Sequence, residues 1–281
     1  MQVTFVILHY LTAEDTIECV ESILGNINDG NYSIIIVDNA SPNDSGNVLV
    51  LKYKDNDKVE VILSNQNLGF AKGNNLGFLQ AKYQYDADFI ILLNNDTIIK
   101  QKDFIYIVKD KYKRENFAVL GPNIISTVDG GYQNPCPVNF HTKRQAGVHV
   151  LRLAFLLVLS YIKLVDLYRK IKPVQNEGKH LKKEEDLNGV QLHGSCLIFS
   201  RSYIERFDGL FSKTFMYMEE DILYYLCSKN DLKTLYTPDL VIYHKEDSST
   251  DALLGSNARK QRFVLRHSIK SCWHLFRLMD K

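Results

Sequence analysis

The chain lacks an excess of charge of either sign: 34 Lys and Arg stand against 33 Asp and Glu, a formal net charge of +1. That balance argues against a dedicated nucleic-acid binder. Paired cysteines are missing too. The five present, Cys19, Cys136, Cys196, Cys227 and Cys272, are odd in number, widely spaced and without a CxxC pair. They exclude a disulfide framework or a zinc knuckle and suit a reducing compartment. No stretch reaches the roughly 18 uninterrupted apolar residues of a spanning helix. Residues 1–9 have no basic leader and no small-residue cleavage site, so a strand is expected there, not a signal peptide, and the expected location is the cytoplasm. Two phosphate-binding signatures are absent as well. No GxGxxG follows the first apolar run, and GxxxxGK[ST] occurs nowhere.

What is present is an ordinary soluble composition, 45% apolar and 24% charged over 281 residues, enough for one large domain or a domain with a subdomain. The stretch FIILLNNDTII at 89–99 organises the rest. Its apolar run reads as a strand buried on both faces of a mostly parallel sheet. Asn94, Asn95 and Asp96 then fall at its carboxyl end, where open α/β sheets place ligands. A carboxylate there can hold a divalent cation, and the cation a diphosphate; the same three residues would also serve as a plain turn. Strands are expected over 3–9, 33–37 and 59–63, alternating with helices after residue 12 and up to about residue 83. This is the pattern of a parallel sheet with helices on both faces. Tyr10, Asp38, Asn67 and Asp96 each follow a strand and so converge on one edge of the sheet, a nucleotide-binding layout. Gly69, Gly73 and Gly77 recur every four residues. Close helix–sheet packing explains Gly77; at Gly69 the backbone would approach a ligand, with Lys72 offering charge at the helix amino terminus.

Residues 127–187 leave this alternation. The almost wholly apolar run 153–162, with basic flanks, reads as a buried helix, a helix in the membrane interface or a partner-binding helix. It is expected to end at the KIKP of 170–173, and the charged stretch 178–186 is expected to be a loop able to lie over the site as a lid. The tail 258–281 interleaves seven cations with apolar residues against Asp280 alone. It reads as a basic amphipathic helix, suited to an anionic membrane surface or to packing on the main domain.

Seven ordered segments carry a resemblance: VILHY at 6–10, IVDNAS at 36–41, NLGFAKGNN at 67–75, LLNNDT at 92–97, GSCLIF at 194–199, FDGLF at 207–211 and FMYMEEDIL at 215–223. Together they resemble the inverting family 2 glycosyltransferases of the GT-A fold, in particular the rhamnosyltransferase-like branch of bacterial surface polysaccharide synthesis. The resemblance implies an α/β GT-A domain over 1–249, with a nucleotide-sugar half (1–126), a variable helical segment (127–190) and an acceptor half (191–249), followed by the basic helix 250–281. It implies transfer from a UDP- or dTDP-sugar to a saccharide acceptor, lipid-linked, at the inner face of the cell membrane. His9 and Tyr10 would hold the base, Asp38 the base or ribose, and Asn67, Gly69, Lys72 and Asn75 the donor. Asn94-Asn95-Asp96 stands at the family's Asp-x-Asp metal motif, with Asp96 as principal carboxylate on Mg²⁺ or Mn²⁺ and neutral Asn94 in the first place. His193 would contact donor phosphates or acceptor, or else be a satisfied strand-end histidine. His244 would complete the metal site or bind phosphate.

Inversion needs one general base for the acceptor hydroxyl. The cluster Glu219-Glu220-Asp221 follows apolar residues, which raise a carboxyl pKa, and also suits a helix amino terminus. Alignment with the family places Glu220 as base, Asp221 one residue late as second choice, and Glu219 as an orienting group. Two other readings stay open: a nucleotidyltransferase, which would want a Gly-rich basic loop after the first strand, and a nucleotide-sugar-binding or scaffold protein without turnover.

Overall fold

The computed structural model describes residues 1–28, 30–165, 182–246 and 257–279. Their elements are β1 (Val3–His9), α1 (Ala13–Asn26), β2 (Tyr32–Asp38), α2 (Ser45–Tyr53), β3 (Val59–Leu63), α3 (Phe70–Tyr83), β4 (Phe89–Asn94), β5 (Thr97–Ile99), α4 (Phe104–Glu115), β6 (Val119–Ser126), α5 (Lys143–Tyr161), β7 (Leu187–Asn188), β8 (Cys196–Ser200), α6 (Arg201–Ile204), α7 (Glu219–Lys229), β9 (Thr234–His244) and α8 (Asn257–Leu278). One sheet joins the strands in the order β3-β2-β1-β4-β8-β6-β9-β5, with β7 on β9.

The pleat sorts alternate residues to two cores. Phe5 and Ile7 of β1, Ile34 and Ile36 of β2 and Ile91 and Leu93 of β4 meet α1, α2 and α4 on one face. Val6, Ile35, Val37, Ile90 and Leu92 meet α3 and α7 on the other. The continuous apolar runs thus mark strands covered on both sides. Strands β3, β2, β1 and β4 are parallel, so their carboxyl ends share one edge. Gly77 packs as expected, since a Cβ there would fall 2.4 Å from Val6 Cγ1.

Three features differ from the sequence expectation. The stretch 89–99 holds a further short strand beyond the expected one, because after the turn at Asn95-Asp96 the chain forms β5, which pairs antiparallel with β9. Strand β8 runs antiparallel to both β4 and β6. The apolar run 153–162 belongs to a helix that starts ten residues earlier, at a capping box in which Thr142 and Gln145 satisfy each other's backbone N–H groups. Of the stretch expected as a lid, residues 178–181 lie outside the described residues, as does the KIKP of 170–173. The described part is tied to the far sheet edge, where Lys111 Nζ bridges Asp186 (2.6 Å) and Asp239 (2.7 Å).

Candidate active site

The shared edge of β1, β2 and β4 opens into a cavity of about 260 Å³. Leu8 and Tyr10 come from the end of β1, Asn39 from the residue after β2, Asn67, Gly69 and Phe70 from the start of α3, and Asn94, Asn95 and Asp96 from the turn after β4. Phe215 and Met216 close one wall, Phe263 reaches in from α8, and His244 arrives from the end of β9. Asn39 ties the floor together: its Nδ2 donates to Asn67 Oδ1 and Gly69 O, both 3.2 Å away, and its Oδ1 accepts from Leu68 N–H at 2.8 Å. Gly69 has φ +79°, and a Cβ there would lie 2.1 Å from Phe215 O. The close backbone approach is therefore to Phe215, whose carbonyl accepts from Phe70 N–H at 2.7 Å.

Asn95 is fixed from behind. Its Nδ2 donates to Thr12 Oγ1 (2.9 Å) and Thr16 Oγ1 (3.0 Å), and Thr16 in turn meets His9 Nδ1 at 2.7 Å. The register of β5 on β9 pairs Thr97 with His244 and sets His244 Nε2 3.2 Å from Asp96 Oδ1. That oxygen is buried and has no hydrogen-bond partner. Gln133 Nε2 donates to Glu246 at 2.7 Å, which turns Gln133 Oε1 toward His244 Nδ1 at 2.9 Å. Gln133 Oε1 thus accepts from His244 Nδ1–H, and Nε2 is the ring atom turned to Asp96. An imidazole nitrogen and a carboxylate oxygen facing each other in a buried place fit a divalent cation, with diphosphate and water oxygens completing its shell. Among the described residues no group of three or more His, Cys, Asp or Glu side chains is assembled for a metal, so the protein would supply only this pair.

A second cavity of about 360 Å³ lies beyond Gln133 and His193 and holds Tyr132, Asn139, Gln191, Glu220 and Asp221. The His193 and His244 rings, 5.7 Å apart, stand between the two cavities. Glu220 Oε1 accepts from Gly194 N–H at 3.1 Å, and Asn94 N–H donates to Ser195 O at 2.9 Å, so Glu220 is tied to the segment that borders the end of β4. Asp221 accepts from Asn139 Nδ2 at 3.1 Å. Burial and the neighbouring Glu220 charge hold its carboxyl up at about 6, against the lowering effect of that hydrogen bond. Acids at the first turn of α7 are also favoured by the helix dipole.

Five residues expected in the site lie elsewhere. His9 is fully buried beneath the cavity, its Nε2 2.8 Å from Ser45 Oγ; burial lowers its pKa to about 4, opposed by Asp38. Asp38 is spent on its own loop, accepting from Ser41 Oγ at 2.5 Å and Ser41 N–H at 3.2 Å, and Asn39 takes its place at the cavity. Lys72 is exposed on α3 and lines neither cavity. Asn75 clamps the 207–211 loop, giving and receiving a 2.7 Å bond with the backbone of Leu210. Glu219 is buried behind its neighbours, and burial followed by the Glu220 charge pushes its carboxyl up to about 8.

Comparison with known proteins places this geometry. The family described as Glycosyl transferase family 2 matches residues 4–207. The chain belongs to that family. A curated relative, the low-salt glycan biosynthesis hexosyltransferase Agl10 of Haloferax volcanii, is 23% identical over 219 residues, covering 77% of this chain and 58% of the relative. The chain thus spans little more than half the relative's length. Among solved structures, S. aureus TarS 1-349 superposes with a TM-score of 0.55 at 14% identity, over 87% of this chain and 60% of that one. Its complex with UDP-GlcNAc gives 0.56 at 13% identity, over 88% and 59%. These likenesses show the GT-A fold of family 2. Within that family frame, Asn39, Gln133, Asn139 and Gln191 were not foreseen. Asn39 lay inside the IVDNAS segment, one residue past the carboxylate that drew attention. Gln133 and Asn139 come from the irregular 127–190 segment and Gln191 from the residue after it, where no periodicity marks an inward face.

Proposed function

We propose that the protein is an inverting glycosyltransferase that moves a sugar from a nucleotide-diphospho-sugar to a hydroxyl of a saccharide acceptor. The observation that carries this reading is the junction of the two cavities. One gathers the carboxyl ends of three parallel strands around Asp96 and His244; the other holds two carboxyl groups, and Gln133, His193 and His244 form the wall between them. The donor is placed in the first cavity. The binding of UDP-GlcNAc by the TarS neighbour supports a UDP- or dTDP-sugar, and the hexosyltransferase relative supports a role in glycan assembly.

Tyr10 and Asn67 flank the base and ribose, and Gly69 with the first turn of α3 faces the phosphates. Glu220 takes the proton of the acceptor hydroxyl as its oxygen bonds to the anomeric carbon from the face opposite the diphosphate. The carbon–oxygen bond to the diphosphate breaks with its electron pair leaving on the phosphate. A divalent cation held by Asp96 and His244 would offset that charge. The acceptor is a lipid-linked saccharide of cell-envelope polysaccharide synthesis.

Thermal shift with UDP, dTDP, GDP or CDP, each with Mn²⁺ or EDTA, tests the donor site. One diphosphate should stabilise the wild type in the presence of metal, by about 2.7 kcal/mol at a hundredfold excess over Kd, and Asp96→Ala should abolish the shift. Glu220→Gln should keep the shift and lose turnover by roughly 10²- to 10⁴-fold. Absence of any shift sinks the donor reading. If Asp221→Asn loses turnover while Glu220→Gln keeps it, Asp221 is the base, a second reading that its raised carboxyl near neutrality favours.

A further inference from the structure

Helix α5 leaves a stripe of large apolar side chains outward. Its buried residues are the small Ala146 and the polar Ser160. Val150, Leu153, Leu156, Leu157 and Leu159 are half-buried, but a set of large apolar side chains faces outward: Val148 is 58% exposed, Leu151 71%, Phe155 50% and Val158 60%, followed by Ile162 at 56% just past the helix end. The spacing of three, four, three and four residues draws a single stripe down one face, about 21 Å long at 1.5 Å per residue. Burial against the described residues does not account for the stripe.

Helix α8 lies antiparallel beside it. Cys272 Sγ meets Ala146 O at 3.6 Å and Phe276 abuts Gly147. At the other end, Arg262 and Arg266 stand 5.2 and 5.8 Å from the Tyr161 ring centroid. Tyr161 sits one turn from Val158, so these guanidinium groups rim the apolar stripe. Along α8, Arg259, Arg266, Lys270 and Arg277 are exposed, and half-exposed Trp273 stacks on Phe276 at 5.1 Å. Neither helix contains a single Asp or Glu. In a chain of net charge +1, this is a strong local concentration of one sign.

We infer that the α5–α8 face docks on an anionic lipid surface, the α5 stripe entering the acyl boundary while the α8 cations meet the headgroups. Charge decides the occupant. A second copy of this chain seated on the stripe would bring cations against cations, whereas an anionic bilayer neutralises them and receives the apolar side chains. Tyr161 and Trp273 at the rim are the aromatic types that settle at a water–lipid boundary. Among the described residues no helix is long and apolar enough to cross a membrane, so the contact is with the surface. The inference does not depend on the transfer reading.

Co-sedimentation of the full chain with vesicles tests it. Vesicles of phosphatidylcholine and phosphatidylglycerol at roughly 3:1 should pellet the protein, pure phosphatidylcholine should not, and added salt should weaken the binding. Leu151→Glu with Val158→Glu should cut partitioning on the order of tenfold or more, since one side chain of this size withheld from the lipid suffices for that factor. Arg266→Glu with Lys270→Glu should do the same, both pairs melting close to the wild type; Leu151→Ser with Val158→Ser replaces the first pair if the glutamates disturb folding. Failure to pellet with anionic vesicles overturns the inference. So does wild-type pelleting by both stripe variants, which would leave unspecific charge adsorption. A wild-type dimer in sedimentation velocity that the stripe variants turn into monomer would assign the face to self-association instead.

Discussion

At the scale of single residues, Glu219 is an acid where an acid is hard to keep charged. It is buried, its Oε1 has no hydrogen-bond partner, and burial together with the Glu220 charge lifts it from 4.5 to about 8. Between those two pH values the folded chain keeps a proton that the unfolded chain has released. Stability contributed here is therefore complete below pH 4.5, falls as pH rises toward 8, and is level above. Glu219→Gln removes this slope. Urea denaturation at pH 5 and pH 8.5 should show the variant close to wild type at the lower pH and more stable at the higher, by on the order of a few kcal/mol. Parallel pH profiles would refute the assignment. The three acids in sequence looked interchangeable in kind, and the helix that begins at Glu219 separates them: successive residues on α7 point about 100° apart, so Glu220 and Asp221 reach the second cavity and Glu219 does not. The same limit explains His9, Asp38, Lys72 and Asn75. Motif position told which elements they belong to, but not which way each side chain turns or what nearer partner takes it. The place of Asp96 was legible because the turn that follows a buried parallel strand opens on the sheet edge where the cavity lies.

At the scale of elements, strand identity and order along the amino-terminal half were legible from apolar runs and turn residues, since β1, α3 and β4 differ little from their expected bounds. Pairing was not. Which strand lies beside which is decided by contacts far apart in sequence, and the β5–β9 ladder that brings His244 to Asp96 spans 147 residues between Thr97 and its partner His244. The turn before α3 shows how such a contact is built. Gly69 adopts φ +79°, which a side chain disfavours, and its missing Cβ lets Phe215 O approach and accept from Phe70 N–H. Gly69→Ala should cost roughly 2–4 kcal/mol, combining backbone strain with the displaced carbonyl. Gly25→Ala, within α1 and with nothing inside 4 Å of its Cβ, should instead stabilise by about 0.5–1 kcal/mol. Equilibrium denaturation of the two variants checks both signs. Equal small effects would mean that Phe215 yields readily and that the α3 turn does not depend on this approach.

At the scale of the whole molecule, α8 joins regions that the sequence suggested were separate. As a basic amphipathic tail it could pack on the main domain or meet a membrane, and the helix has one packed face and one exposed basic face. Its inner face buries Leu265, Cys272 and Leu275 and bonds Ser271 Oγ to Met216 O at 2.9 Å. Its outer face carries the exposed cations. At the inner edge Phe263 lines the first cavity, with its ring 4.3 Å from that of His267 and 6.4 Å from that of Phe215. Amphipathic periodicity reveals that a helix has two faces; it does not say that a site lies under one of them, so Phe263 could not be found from sequence. Removing this ring widens the cavity without touching Asp96, His244 or Glu220. Phe263→Ala should therefore weaken nucleotide-diphosphate binding by about three- to tenfold, the loss of one partly buried aromatic contact. Turnover at saturating donor should change far less, because the proposed base Glu220 and the Asp96–His244 pair are untouched. Binding to anionic vesicles should stay as in the wild type, since the altered side chain faces away from the α5 stripe. Isothermal titration, saturation kinetics and vesicle sedimentation on this one variant separate the two faces of the helix. Equal donor affinity in variant and wild type would remove Phe263 from the donor cavity, and a parallel loss of vesicle binding would mean that the two faces do not act independently.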